Sequence, residues 1–411
     1  MKSIRNLILV AIAMLATVAS AQSVEPGIAT LRNGGFAQLQ GKRVGLITNP
    51  TGVDNQLRST IDILHEAEGV TLAALFAPEH GVRGDVHAGD HVANSIDPKT
   101  GVRVYSLFGK LHKPTPEMLA DIDVLIYDIQ DNGCRSYTFI STMGVCMDAA
   151  AEQGKEFMVL DRPNPVGGDI VEGCLVEKGF ESFVSKFPIP YLYGLTPGEL
   201  ATLLNEERML KSGKKCKLTV VPMTGWQRDM SFEATGMPWV LPSPHIPTPS
   251  SSLYYPMTGI LGEFGYVSIG VGYTLPFQLI AATWIDAEQL AEALTDLHLP
   301  GVGFRPIHIK PFYSVGKGEN LQGVQIYVTD RRKAQLTLTQ FYAMQEMARL
   351  WPDHKVFENA DQKRFNMFDK VCGTDYIRKT FTRNYRVADI IDYWNKDVEA
   401  WRQLSSKYYL Y

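Results

Sequence analysis

The sequence predicts an α/β protein: a parallel sheet covered on both faces by helices, followed by a second region of α+β character. Three observations predict it. Strand-like and helix-like segments alternate between residues 43 and 222, the order that lays down a parallel sheet by crossovers. The strand-like segments are continuously apolar, as strands buried on both faces are, rather than alternating. At residues 237–256 the composition then changes abruptly, with six prolines in one stretch.

Taken in order, residues 43–48, RVGLIT, read as a first strand that ends in the turn Asn49-Pro50-Thr51-Gly52. Residues 57–67 predict a helix with Leu57, Ile61 and Leu64 on one face. Strands follow at 71–76 and 102–107, then a short helix at 115–121 capped by Thr115. DVLIYDI at 123–129 is a buried strand, 137–153 a helix with Met143, Met147 and Ala150 at core spacing, and 156–161 another strand. Thr196-Pro197-Gly198-Glu199 opens a further helix with a cap residue and proline at its first position. LTVVP at 218–222 completes the series. No GxGxxG follows the first strand, so dinucleotide binding has no support.

In 237–256, MPWVLPSPHIPTPSSSLYYP, the prolines at 238, 242, 244, 247, 249 and 256 argue against regular helix or central strand. Trp239, Tyr254 and Tyr255 are costly to expose, so the segment is expected to be ordered, extended and packed across a cleft. Beyond it, 277–284 and 323–329 read as strands, 286–296 and 337–350 as amphipathic helices, and 383–411 as helix plus an aromatic tail.

The totals bound the answer. A chain of 411 residues, 45% hydrophobic and 20% charged, is an ordinary globular protein large enough for two domains. A net charge of -4 gives no basic footprint for nucleic acid. Residues 1–21 have the parts of an export signal: Lys2 and Arg5, an apolar run at 7–18, and Ala19-Ser20-Ala21 as a cleavage site. The expected divisions are therefore 1–21 as signal peptide, 22–236 as the parallel-sheet domain and 237–411 as the second domain, in an exported, periplasmic or secreted protein. No later stretch is long and apolar enough to span a bilayer. The five cysteines are odd in number and form no CxxC pair, which favours buried free thiols over staples or structural zinc.

Chemistry-bearing residues gather where strands end. FAPEHGVRGDVHAGDH at 76–91 follows a buried strand and carries Glu79, His80, Arg83, Asp85, His87, Asp90 and His91 among helix-breaking glycines. The other strand ends supply Asn49 and Thr51; Asp128, Gln130, Asp131 and Asn132, with Arg135 beyond; and Asp161, Arg162 and Asn164. Parallel strands bring such ends side by side, and converging acids raise the pKa of at least one of them, as a general acid requires. Alternatively, Asp128 and Asp161 cap turns or pair with Arg135 and Arg162. The histidines match no standard zinc spacing, and Ser250-Ser251-Ser252 has no nucleophile-elbow context.

NPTG at 49–52, APEHGVRG at 77–84, DIQDNGCRSYTFISTMG at 128–144, DRPNPVGG at 161–168 and PSPHIPTPSS at 242–251 together resemble the exo-β-N-acetylmuramidase family NamZ, over nearly the whole chain past residue 21. The resemblance implies a Rossmann-like domain with an auxiliary α+β domain and an active site in the cleft between them. It implies a glycoside hydrolase that releases N-acetylmuramic acid from the non-reducing ends of peptidoglycan fragments. Glu79, in the PEHG motif, matches the family's catalytic glutamate and would be the general acid. Asp128, Asp131 and Asp161 are candidates for the second group, with a tyrosine nucleophile as a known exception. Arg83, Arg135, Arg162 and Asn164 would bind the lactyl carboxylate and N-acetyl group, with Asn49, His80, Gln130 and Asp131 alongside. No cofactor is called for. In place of the family's FEGTN…SEGRGT-like stretch, residues 262–277 read GEFGYVSIGVGYTLPF, with Ile269 and Val271 where a glutamate and an arginine are expected. A non-catalytic muropeptide- or sugar-binding protein is the alternative reading.

Overall fold

A computed structural model describes residues 23–79, 81–84, 94–109 and 111–411. Seven strands form the larger sheet: β1 (Arg43–Thr48), β2 (Thr71–Ala77), β3 (Ser95–Ile96), β4 (Arg103–Ser106), β5 (Val124–Asp128), β6 (Glu156–Leu160) and β7 (Lys217–Val221). Their spatial order is β3-β4-β2-β1-β5-β6-β7. Every pairing is parallel except that of the two-residue edge strand β3 with β4. The six parallel strands are thus doubly wound about β1, and the order reverses between β1 and β5. That switch point is where such sheets leave a crevice at their carboxyl ends. The NPTG turn sits there, and a Cβ on Gly52 would lie 2.2 Å from the Thr48 hydroxyl and 3.1 Å from the Asp128 carbonyl. Only a glycine lets the chain leave β1 so close to β5.

Most strand bounds fall within a residue or two of the sequence reading, because continuous apolar runs have few other uses. The helix expected over 57–67 is shorter, Thr60–His65, and begins at the Ser59 cap. Leu57 sits in the left-handed region at φ 63° and is 59% exposed, outside the helix rather than on its buried face. The helix Pro197–Glu206 opens with a full capping box between Thr196 and Glu199.

The second sheet is antiparallel, in the order β8-β10-β9, from β8 (Leu279–Ala282), β9 (Val302–Ile309) and β10 (Leu321–Val328). The sequence reading missed β9, whose Gly303, Arg305 and Pro306 break any apolar run; it is an edge strand, where proline is tolerated. The proline-rich stretch also needs correction. Its last six residues enter a helix, Ser251–Gly262, with Pro256 inside it. The missing amide costs about 3 kcal/mol in a helix interior. Burial of Met257, Ile260 and Leu261 offsets it, and Gln340 holds the helix at both ends of its amide, donating to the Pro256 carbonyl (2.8 Å) and accepting from the Leu261 amide (2.9 Å).

One side chain ties the two sheets' domains together. The Arg135 guanidinium is 1% exposed and has no carboxylate partner among the described residues. All five of its N–H groups are used: Nε to Ser185 Oγ (3.2 Å), Nη1 to the carbonyls of Cys174 (2.8 Å) and Ile189 (2.5 Å), Nη2 to those of Val371 (3.0 Å) and Cys372 (2.9 Å). All five cysteines are buried and free. Arg135→Met should lower stability by at least about 3 kcal/mol, because each orphaned buried acceptor costs 1–3 kcal/mol. Urea unfolding measures this, and an unchanged midpoint would show that Arg135 does not hold the domains.

Candidate active site

The β2 strand runs into Ala77-Pro78-Glu79, and the Leu107 amide, just past β4, holds the Ala77 carbonyl at 2.8 Å. Glu79 is therefore delivered to the carboxyl edge of the sheet, where it borders a cavity of about 250 Å³. One wall is Ser136 and Tyr137, which follow β5 and precede the helix Phe139–Glu152. The proline-rich stretch contributes Ser243 and His245, and the second domain contributes Tyr255 and Phe277. The cavity thus lies between the two sheets' domains.

Its aromatic lining is interlocked edge to face. Tyr137 meets Tyr255 at 5.6 Å and Phe139 at 5.1 Å, and Tyr255 meets Phe277 at 4.9 Å. Ser136 Oγ joins the Tyr191 hydroxyl (2.9 Å) to the Tyr255 hydroxyl (3.2 Å). His245 Nε2 contacts the Tyr313 hydroxyl at 2.8 Å. The Tyr137 hydroxyl is buried and makes no hydrogen bond of ordinary geometry among the described residues. Burial raises its pKa; Ser243 beside it works the other way, while the charges of Asp131 and Glu79 add to the rise. This phenol therefore lies within the fields of both carboxylates as a standing proton donor.

A second polar group lies at the switch point. Asp131 Oδ2 accepts from the Gly133 amide (2.7 Å) and from the Tyr193 hydroxyl, while its Oδ1 is buried and has no hydrogen bond of ordinary geometry among the described residues. Burial pushes the Asp131 carboxyl up to about 6 against the opposing pull of those donors. Asn49 Nδ2, Gln130 Oε1 and both amide atoms of Asn132 are likewise buried and unpartnered among the described residues. Thr51 links them, accepting from the Gln130 amide at 2.8 Å and donating to Asn49 Oδ1. Native interiors rarely leave so many polar atoms unused in one place.

The remaining strand-end residues are engaged in contacts within the fold. Asp128 is 0% exposed and forms a forked ion pair with Arg162 (2.5 and 3.1 Å), reinforced by the Thr60 hydroxyl. Asp161 spends both oxygens on the Arg162 and Gly198 amides and on the Thr196 and Tyr411 hydroxyls, and burial raises its pKa to about 6. Arg162 also holds the Val53 carbonyl, and Asn164 bridges the Leu195 carbonyl and the Val166 amide. Arg83 pairs with Asp97 (2.9 and 3.0 Å) and Asp62. Arg135 has no donor left for a ligand. Arg83, Arg135, Arg162 and Asn164 are thus each held by contacts within the fold. His80, Asp85, His87, Asp90 and His91 lie outside the described residues. Ile269 and Val271 pack into the core of the second domain and do not line the cavity. Tyr137, Ser243 and His245 were missed as individuals; their motifs, DNGCRSYTF and PSPHIP, were the available signal.

Family models match in two pieces: exo-beta-N-acetylmuramidase NamZ, N-terminal, over residues 44–250, and its C-terminal counterpart over 253–411. The peptidoglycan beta-N-acetylmuramidase NamZ of Bacillus subtilis (strain 168) is 46% identical over 388 residues, 94% of this chain and 91% of that one. Two solved DUF1343 family proteins of Bacteroides fragilis superimpose. One is 61% identical with a TM-score of 0.92, covering 95% of this chain and 99% of its own. The other is 28% identical with a TM-score of 0.74, covering 94% and 99%.

A pKa raised to about 6 means that the folded state holds the Asp131 proton more tightly than the unfolded chain does. Its contribution is therefore full below the unfolded value of about 4 and is lost as pH rises through about 6. Asp131→Asn, neutral at every pH, should gain on the wild type by about 2 kcal/mol between pH 4.5 and 7.5. Urea unfolding at the two pH values checks this, and a pH-independent difference would contradict it.

Proposed function

Because the chain belongs to the exo-β-N-acetylmuramidase NamZ family, we infer that it is a glycoside hydrolase that releases N-acetylmuramic acid from the non-reducing end of peptidoglycan fragments. The observation that carries the site is Glu79, which brings a carboxyl from the end of β2 to an aromatic cavity closed by the second domain. A sugar ring binds such a wall through its C–H faces, against Tyr255 and Phe277. The Tyr137 phenol donates to a ring substituent.

Cleavage needs a proton on the glycosidic oxygen as the bond breaks, and negative charge near the ring as positive charge develops there. Glu79 supplies the proton. Asp131 is the better second carboxyl of the three strand-end aspartates. Asp128 and Asp161 have both oxygens committed to fixed partners, whereas Asp131 keeps Oδ1 unpartnered. With its pKa near 6, it is largely ionised at neutral pH. The cluster Asn49, Gln130 and Asn132 supplies amide donors and acceptors for the acetamido and lactyl groups. We also propose export to the periplasm or medium, supported by the basic start, short apolar run and Ala19-Ser20-Ala21 of the sequence.

Glu79→Gln keeps the shape and removes the transferable proton, so turnover of a muramic acid–glucosamine disaccharide should fall by about 10²–10⁴-fold. A substrate whose leaving group needs no protonation should be affected far less. Near wild-type cleavage of the disaccharide by a folded variant would place the acid elsewhere. For export, mass spectrometry of envelope or medium protein should find Gln22 at the N-terminus; an intact Met1 there would refute cleavage.

A further inference from the structure

A second cleft, of about 920 Å³, lies on the connection between β9 and β10. This connection is an ordered hairpin loop. The Phe312 amide bonds the Gly272 carbonyl (2.8 Å), and the Gly318 amide bonds the Pro311 carbonyl (2.9 Å). A Cβ on Gly272 would lie 1.9 Å from the Tyr313 carbonyl, so the loop is seated directly on that glycine. Tyr273 and Phe312 stack with ring planes 18° apart, and Phe312 is 70% exposed. Exposing an aromatic on a braced loop has a cost that an unused surface would not bear.

The cleft is also cationic. Lys310 and Lys317 line it with His308, and neither lysine forms an ion pair among the described residues. Glu319 is the one carboxylate between residues 308 and 322, and it is not part of the lining. The same loop reaches the catalytic cavity, through the Tyr313 hydroxyl on His245. That cavity, at about 250 Å³, has room for a single sugar and not for a chain.

We propose that this cleft is a subsite for the glycan beyond the first sugar on the leaving-group side of the cleaved bond. Tyr273 and Phe312 present a platform to a sugar face, and Lys310 and Lys317 meet the lactyl carboxylate of the next muramic acid. The proposal rests on the exo-hydrolase reading. An enzyme that cuts at the non-reducing end must let the rest of the chain extend out of the cavity, and the loop that carries this cleft touches the cavity residue His245 and offers complementary charge and an aromatic face.

The test compares a peptide-free disaccharide with a peptide-free tetrasaccharide. Wild type should favour the tetrasaccharide in kcat/KM. Phe312→Ala, and separately the Lys310→Ala/Lys317→Ala pair, should lose about tenfold on the tetrasaccharide through KM, the scale of removing one anchor. Both should leave the disaccharide unchanged, and the lysine pair should flatten the salt dependence of KM for the tetrasaccharide. Equal kcat/KM on the two substrates in wild type, or equal losses on both in the variants, would overturn the proposal. A loss confined to a peptide-bearing tetrasaccharide would assign the lysines to stem-peptide carboxylates and overturn the lactyl assignment. If wild type cleaves neither substrate, the functional reading itself fails, and the subsite falls with it.

Discussion

The Arg135 guanidinium is the constraint on which the site's geometry depends. A buried cation without a carboxylate is tolerable only if every donor finds an acceptor. Here the acceptors are four backbone carbonyls and a serine hydroxyl from three separate stretches of chain, two of the carbonyls at the end of the helix Phe365–Cys372. Burial pulls the Arg135 pKa down, yet an arginine stays charged. The next residues, Ser136 and Tyr137, form the cavity wall. The arrangement that welds the two domains therefore also fixes side chains that line the cavity. Helix C-termini carry partial negative charge, so the carbonyls of Val371 and Cys372 suit a cation particularly well.

The acids at the sheet edge divide by what faces them. Asp128 has a guanidinium in bidentate contact, which offsets the loss of hydration. Asp161 has four neutral donors and no cation, and Asp131 has fewer still. Both carboxyls that lack a cation rise to about 6 through burial. Proximity in sequence was a poor guide to this division, because Asp128 and Asp131 are three residues apart and play opposite parts.

The parallel strands were legible because short apolar runs between turns, such as Val124 to Tyr127 and Phe157 to Leu160, admit little else. The Glu79 loop was legible for a related reason: a sudden polar run after such a strand must lie at a sheet edge. β9 was hidden because an edge strand needs neither an apolar run nor a full set of amides, and Pro306 looked like a stop. The helix through Pro256 was hidden because its stability comes from Gln340 and from core burial, both supplied by distant segments. The same limit applies to the site. Glu79, Tyr137, His245 and Tyr255 meet only through the tertiary fold, and nothing local to any of them reports the others. Arg135 and Arg162 sit at strand ends, where ligand binding and structural pairing look alike. Backbone carbonyls, which claim most of Arg135, leave no mark in a sequence.

The chemistry of the cavity follows from what its walls hold in one protonation state. Burial raises the phenols of Tyr137, Tyr191 and Tyr255, so they remain neutral hydroxyls throughout the range in which carboxylates titrate. Tyr191 and Tyr255 share the Ser136 hydroxyl, which sets their orientation, while Tyr137 has no such claim on it. A wall of neutral hydroxyls and aromatic edges suits the apolar faces and hydroxyls of a sugar ring. Among the described lining residues the one carboxylate is Glu79, and Asp131 at the switch point is near enough for its charge to act on Tyr137. Positive charge that develops on a sugar ring in the cavity would meet preorganised negative potential in a low-dielectric setting, where such a field is worth most.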